Sequence, residues 1–70
     1  MPKLYSSAHI IKILNKHGFR FVSQNGSHAK FRKNGEPVLI TIVPADKKEI
    51  PFGTFRSIVR QSGLNEGDFK

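Results

Sequence analysis

Apolar residues return along this chain at two different periods, and the change falls at Gly18. In "AHIIKILNKHG" the residues Ile10, Ile13, Leu14 and His17 recur at the three- and four-residue spacing of one helical face. Ile11 widens that stripe, and His9, Lys12 and Lys16 lie on the other side. Ser6 or Ser7 supplies the N-cap oxygen, although neither has Glu or Gln three residues on to complete a capping box. Gly18 stands where a left-handed residue ends a helix, and Lys16 and His17 complement the negative end of its dipole. The first element is therefore a helix that stops at Gly18.

Beyond Gly18 the period falls to two. In "FRFVSQNGSHAKFRK" a two-residue Asn25-Gly26 loop would pair Ser23 with His28 and mix phenylalanines with cations on one face. A three-residue loop of Gln24, Asn25 and Gly26, with Gly26 left-handed in a bulge, pairs Ser23 with Ser27 and separates them. Phe19, Phe21, Ala29 and Phe31 then share one face, while Arg20, Val22, His28, Lys30 and Arg32 share the other. A slip of one residue would exchange the faces, so the amphipathic register is the one expected. "KNGE" reads as a two-residue turn with Asn34 and Gly35 at positive φ, setting Lys33 against Glu36, Phe31 against Val38 and His28 against Thr41. Val38, Ile40 and Ile42 join the core face in that register, and Pro44 with the polar "ADKKEIP" ends the strand.

A second helix follows in "GTFRSIVRQSG", burying Phe55, Ile58 and Val59, turning Arg56 and Arg60 outward and closing at Gly63. The tail "LNEGDFK" has a possible anchor in Leu64 and is otherwise expected to fray. A three-stranded sheet cannot bury its apolar face unaided. The expected fold is thus α+β, in the order α-β-β-β-α, with a three-stranded antiparallel sheet, two helices packed on one face and the opposite face open to solvent.

With 70 residues the chain suffices for one domain, 1–70, whose thin core leaves any site on the surface or at its edge. The absence of cysteine removes disulfides, thiolate-bound zinc and thiol chemistry, which fits a cytoplasmic protein. No apolar run is long enough to span a bilayer, and "MPKLYSSAHI" lacks the apolar core of a signal peptide, so a soluble, unprocessed protein with no membrane association is expected. Twelve Lys and Arg against five Asp and Glu give a net charge of +7, which favours a polyanionic partner over one that is neutral. Charge that serves only solubility is the alternative, and its distribution along the chain has to decide.

The open sheet face is where the charge gathers. His28, Lys30 and Arg32 alternate along the middle strand, and Arg20 lies on the neighbouring one. Lysine and arginine there suit a phosphate backbone, because they neutralise phosphates and release counterions. Histidine adds chemistry, since a side chain with an unperturbed pKa of about 6.5 both accepts and donates protons near neutrality. RNA carries its own nucleophile: a base that takes the 2′-hydroxyl proton lets that oxygen attack the adjacent phosphorus, and nearby cations stabilise the charge that develops. From residue types alone, a catalytic histidine and a histidine in a merely binding surface both remain open.

Other chemistries find less support. His9 on the polar side of the first helix reads as a solvated residue, and His17 as a helix-end cation. Histidines at 9, 17 and 28 do not have the local spacing of a zinc site, so neither a metal nor any other cofactor is expected. No glycine-rich phosphate loop of the strand-to-helix type is present.

The ordered set of "LNKHGF", "NGSHAKF", a strand ending in "VP" and "GTFRSIVRQSGL" resembles the HicA family of bacterial and archaeal toxins, small mRNA-cleaving partners of HicB antitoxins. The resemblance covers roughly Ser6 to Leu64, and Gly26-Ser27-His28 between two helices is its most specific element. It implies a fold like a double-stranded-RNA-binding domain and a metal-independent endoribonuclease, or mRNA interferase, held in check by a HicB-like antitoxin. The family's catalytic histidine maps to His28, with Gly26 and Ser27 as the turn presenting it. Arg20, Lys30, Arg32 and Lys33 are then the expected RNA-binding residues. One departure stands out: many relatives carry a second histidine soon after the "VP", where this chain has Ala45-Asp46. That puts a two-histidine mechanism in doubt and leaves His28 to work with cations or water. The alternatives are a non-catalytic RNA-binding module of the same fold and a DNA-binding or adaptor role in an antitoxin complex.

Overall fold

The computed structural model describes residues 3–70. Met1 and Pro2, the first residues of the one-domain reading and of the segment weighed as a leader, lie outside the described residues. The elements run α1 (Ser7–Lys16), β1 (Arg20–Asn25), β2 (His28–Lys33), β3 (Leu39–Pro44) and α2 (Phe52–Ser62), followed by a 3-10 turn at Glu66–Phe69. The sheet is antiparallel in the order β1-β2-β3. Both helices lie on one face, the arrangement of a double-stranded-RNA-binding domain.

Local signals account for the helix ends. Ser6 is the N-cap of α1, its hydroxyl accepting from the His9 N–H at 3.1 Å. Ser7 instead enters the protein interior, where its hydroxyl donates to the Pro44 carbonyl and accepts from the Lys47 N–H, clipping α1 to the loop after β3. At the other end Gly18 takes φ +96° while the Phe19 and Gly18 N–H groups close on the Leu14 and Asn15 carbonyls, the paired bonds of a Schellman stop. That stop delivers Phe19 into the core before β1 begins, where it is fully buried. Gly63, at φ +72°, ends α2 as the sequence predicts.

Both hairpin registers differ from the expected ones. The β1–β2 turn is a two-residue loop of Gly26 and Ser27, with Asn25 opposite His28, Gln24 opposite Ala29 and Ser23 opposite Lys30. A bulge at Val22 then absorbs one residue and brings Phe21 opposite Phe31 and Arg20 opposite Arg32. The tight turn and the separation of phenylalanine from cation are thus both kept, at the expense of one unpaired valine. In the second hairpin Lys33 pairs with Leu39, Phe31 with Thr41 and His28 with Pro44, and residues 34–38 form the loop. The expected register would have set Pro37 inside the ladder opposite Arg32, where it has no N–H to give. Moving Pro37 into the loop shifts β3 by an odd number of residues and reverses its faces. Leu39, Thr41 and Val43 therefore turn inward, while Val38, Ile40 and Ile42, expected in the core, stand exposed.

The core gathers Ile10 and Leu14 from α1, Phe19, Ala29 and Phe31 from β2, Val43, Ile50, and Phe55 and Ile58 from α2. Val59 is half-buried beside them, and Arg56 and Arg60 point outward as predicted. Thr41 is buried with its hydroxyl satisfied by the Gln61 side-chain oxygen at 3.0 Å, and that oxygen also accepts from the Ile42 N–H. The tail does not fray. Asn65 and Asp68 form a reciprocal capping box, and Phe69 is fully buried edge-on to Phe55. His9 is correspondingly not a solvated residue: its ring stacks on Tyr5 at 4.8 Å and its Nε2 meets the Phe69 carbonyl, tying α1 to the last turn.

Candidate active site

The turn that begins β2 is held from both sides. Gly26 adopts φ +60° with open space around its missing Cβ, so the backbone conformation and not crowding calls for glycine there. Glycine first and an ordinary residue second is the pattern of a type II′ hairpin turn, whose twist suits the flanking strands. Gln24 donates from Nε2 to the Gly26 carbonyl at 3.0 Å. The Ser27 carbonyl accepts from the Ala45 N–H at 2.7 Å, extending the β2–β3 ladder past Pro44. His28 thus stands on a strand paired on both sides, with Asn25 as one cross-strand neighbour and Pro44 as the other.

On the outer sheet face His28 is exposed in a shallow depression of about 430 Å³, lined also by Ser23, Asn25, Lys30 and Ile42. None of these residues is acidic, so the depression offers an imidazole, an ammonium, an amide and a hydroxyl to an anionic ligand. Arg20, Arg32 and Lys33 line a neighbouring depression with Gly18, Val22 and Asn34. Same-face residues on a strand are spaced by about 7 Å, which sets Lys30 next to His28 and Arg32 roughly 13 Å along. Of the four cations picked out from sequence, only Lys30 shares the histidine's depression. The other three line that second depression: Arg20 and Arg32 pair on the outer face, whereas Lys33, opposite Leu39, has inward parity and its side chain runs beside Gly18.

Asn25 and Ser23 were not among the predicted site residues. The three-residue loop would have set Val22 opposite His28; the observed register replaces that apolar neighbour by an amide. The available signal was Gly26 itself, since a hairpin turn of the II′ type places glycine first and so makes Asn25 and His28 the closing pair. Ile42 is present because β3 is reversed relative to the expected register. The segment after the "VP" falls next to this turn, since the Ala45 N–H bonds the Ser27 carbonyl; Ala45 presents a methyl group there and is followed by Asp46, exposed at φ +57°. Among the described residues no three His, Asp or Glu side chains gather in a way that could hold a metal ion, and no helix is long and apolar enough to cross a membrane.

Comparison with known families returns one described as "HicA toxin of bacterial toxin-antitoxin", matched over residues 7–64. The match runs from the first residue of α1 to just beyond α2 and includes the whole sheet with the Gly26-Ser27-His28 turn; the closing 3-10 turn lies outside it. No curated protein matches the chain.

Proposed function

The chain belongs to the HicA toxin family of bacterial toxin-antitoxin systems, and we propose that it acts as an endoribonuclease that cleaves mRNA through His28 without a metal ion. The observation that carries this reading is the depression in which an exposed imidazole, an ammonium and an amide face solvent together on a rigid central strand. A neutral His28 ring nitrogen removes the proton from a ribose 2′-hydroxyl. The oxygen attacks the adjacent phosphorus, the bond from phosphorus to the 5′-oxygen breaks, and that oxygen takes a proton from water or from the imidazolium just formed. Lys30 faces the non-bridging oxygens as their charge grows, and Asn25 donates a hydrogen bond to the same phosphate. Arg20, Arg32 and Lys33 lie too far away for that phosphate and hold its neighbours. The products are a 2′,3′-cyclic phosphate and a 5′-hydroxyl.

Inhibition by a cognate HicB-like antitoxin is part of the same proposal. Ile40 and Ile42 are 44% and 38% exposed on the face that carries His28, and contiguous apolar surface beside a charged site marks a protein contact. An antitoxin with an acidic rim and an apolar centre would cover both the isoleucines and the histidine, blocking RNA without unfolding the toxin.

The test is cleavage of a synthetic RNA in the presence of a metal chelator. The wild-type protein cuts it to cyclic-phosphate ends and leaves DNA of the same sequence intact, whereas His28→Ala loses about 10²–10⁴-fold in rate. Efficient cleavage by His28→Ala would remove His28 from the reaction. A non-catalytic RNA-binding module would instead show no cutting in any buffer and the same RNA affinity in both proteins.

A further inference from the structure

The cations do not stop at the sheet. Arg20 is paired with Arg32 on the outer face, yet its guanidinium turns around the edge of β1 and donates to the Asn15 and Phe19 carbonyls at the end of α1, at 3.2 and 3.0 Å. It thereby lines two concavities at once: the depression shared with Arg32 and Lys33, and a groove of about 970 Å³ running along α1. That groove is lined by His9, Lys12, Lys16 and Lys70, together with Phe21, which is 58% exposed. Nothing in the cleavage chemistry uses this second groove.

We infer that the α1 groove is a binding tract for single-stranded RNA, which carries the strand flanking the cleaved phosphate over the β1 edge, with Arg20 as the bridge and Phe21 as a stacking platform for a base. Three features on this surface point to a nucleic-acid strand. Lys12 and Lys16 are exposed and lie one helical turn apart on α1, so both ammonium groups are free to meet successive phosphates. Phe21 faces the core side of the sheet opposite Phe31, yet more than half of its side chain is left open beside the cations. Cations that track a backbone beside an open aromatic ring are the two components of sequence-tolerant single-strand binding. Third, the tract is continuous through Arg20 with the face proposed for cleavage, whereas a site for an unrelated acidic protein would have no need of that continuity.

This inference rests on the proposed ribonuclease reading for its choice of ligand, and its test is arranged to be independent of catalysis. Uncleavable 2′-O-methyl oligoribonucleotides of 16 and 4 nucleotides are titrated against the protein by fluorescence anisotropy at several salt concentrations. The wild-type protein binds the 16-mer more tightly than the 4-mer. Lys12→Gln/Lys16→Gln loses about tenfold in affinity for the 16-mer at low salt, and its plot of log affinity against log salt becomes shallower by about 1.4, the expectation for two phosphate contacts on a single strand. Phe21→Leu, which keeps an apolar side chain against Phe31 but removes the aromatic face, loses about tenfold for the 16-mer with no change in salt slope. Unchanged affinity of the double lysine variant for the 16-mer overturns the inference, as does an equal loss for both lengths. A groove made for an acidic protein would leave RNA affinity untouched and weaken only the complex with the antitoxin, which also overturns it. Persistent cleavage by His28→Ala, by contrast, defeats the catalytic assignment while leaving these titrations to be judged by themselves.

Discussion

The two faces of β2 share one backbone and alternate residue by residue, but they are under different demands. Inward, Ala29 and Phe31 are each 3% exposed and meet Val43 and Thr41 from β3 and Phe21 from β1. Outward, His28, Lys30 and Arg32 are exposed beside Ile40 and Ile42. The inner face stabilises the fold through apolar burial; the outer face contributes little to folding and carries the groups able to do chemistry. Stability and the proposed function are therefore separable at single-residue resolution along one strand.

Phe31→Ala and His28→Ala put the largest demand on that separation. Removing the buried ring costs about 3–5 kcal/mol, enough to unfold much of the population of so small a domain, and urea unfolding reads it directly. His28→Ala leaves the unfolding midpoint within about 0.5 kcal/mol of wild type, because an exposed strand residue gives up little on truncation. If the histidine variant were as destabilised as the phenylalanine variant, its lost cleavage would say nothing about catalysis.

This contrast also explains what could be read from the chain before its structure. The element order, the helix stop at Gly18 and the cationic face of β2 were legible, because "HAKFRK" alternates cleanly and a clean alternation admits one inward set. The run "VLITIV", from Val38 at the end of the loop through β3, is apolar at nearly every position and carries no such parity. Its inward set was decided by Pro37 in the preceding loop, a constraint that acts on pairing and not on hydropathy. The bulge at Val22 was hidden for a related reason: it reconciles a glycine turn with a phenylalanine pair, and neither demand alone reveals it. The last turn was legible in principle, since Asn65 and Asp68 have the three-residue spacing of a capping box, but a single phenylalanine in a polar tail gave no periodicity to support it. His9 followed from that omission, because its partner is the carbonyl of Phe69.

A smaller effect separates the sheet's edge from its interior. The Gln61 side-chain oxygen satisfies both the buried Thr41 hydroxyl and the Ile42 N–H. Gln61→Leu strands the hydroxyl in the core and costs about 1–3 kcal/mol, whereas Thr41→Val removes the hydroxyl and costs less, since the remaining acceptor still serves Ile42. The double variant is no less stable than Gln61→Leu alone, a coupling that a double-mutant cycle in urea measures. Additive losses would mean that the two groups act independently and that Gln61 does more than satisfy Thr41.

The smallest expected effect on folding carries the most information about regulation, and it compares adjacent residues on opposite faces. Val43→Thr places a hydroxyl in the core without a partner and costs about 1–3 kcal/mol. Ile42→Thr, one position away, keeps a β-branched side chain on a half-open surface and shifts stability by less than about 1 kcal/mol. Combined with Ile40→Thr it should nevertheless weaken the antitoxin complex by about tenfold, since the two isoleucines form the apolar part of the proposed contact beside His28. Isothermal titration of the paired variant with the antitoxin decides the matter. An unchanged affinity, with the fold intact, places the antitoxin elsewhere on the molecule and requires that inhibition reach His28 by a route other than direct cover.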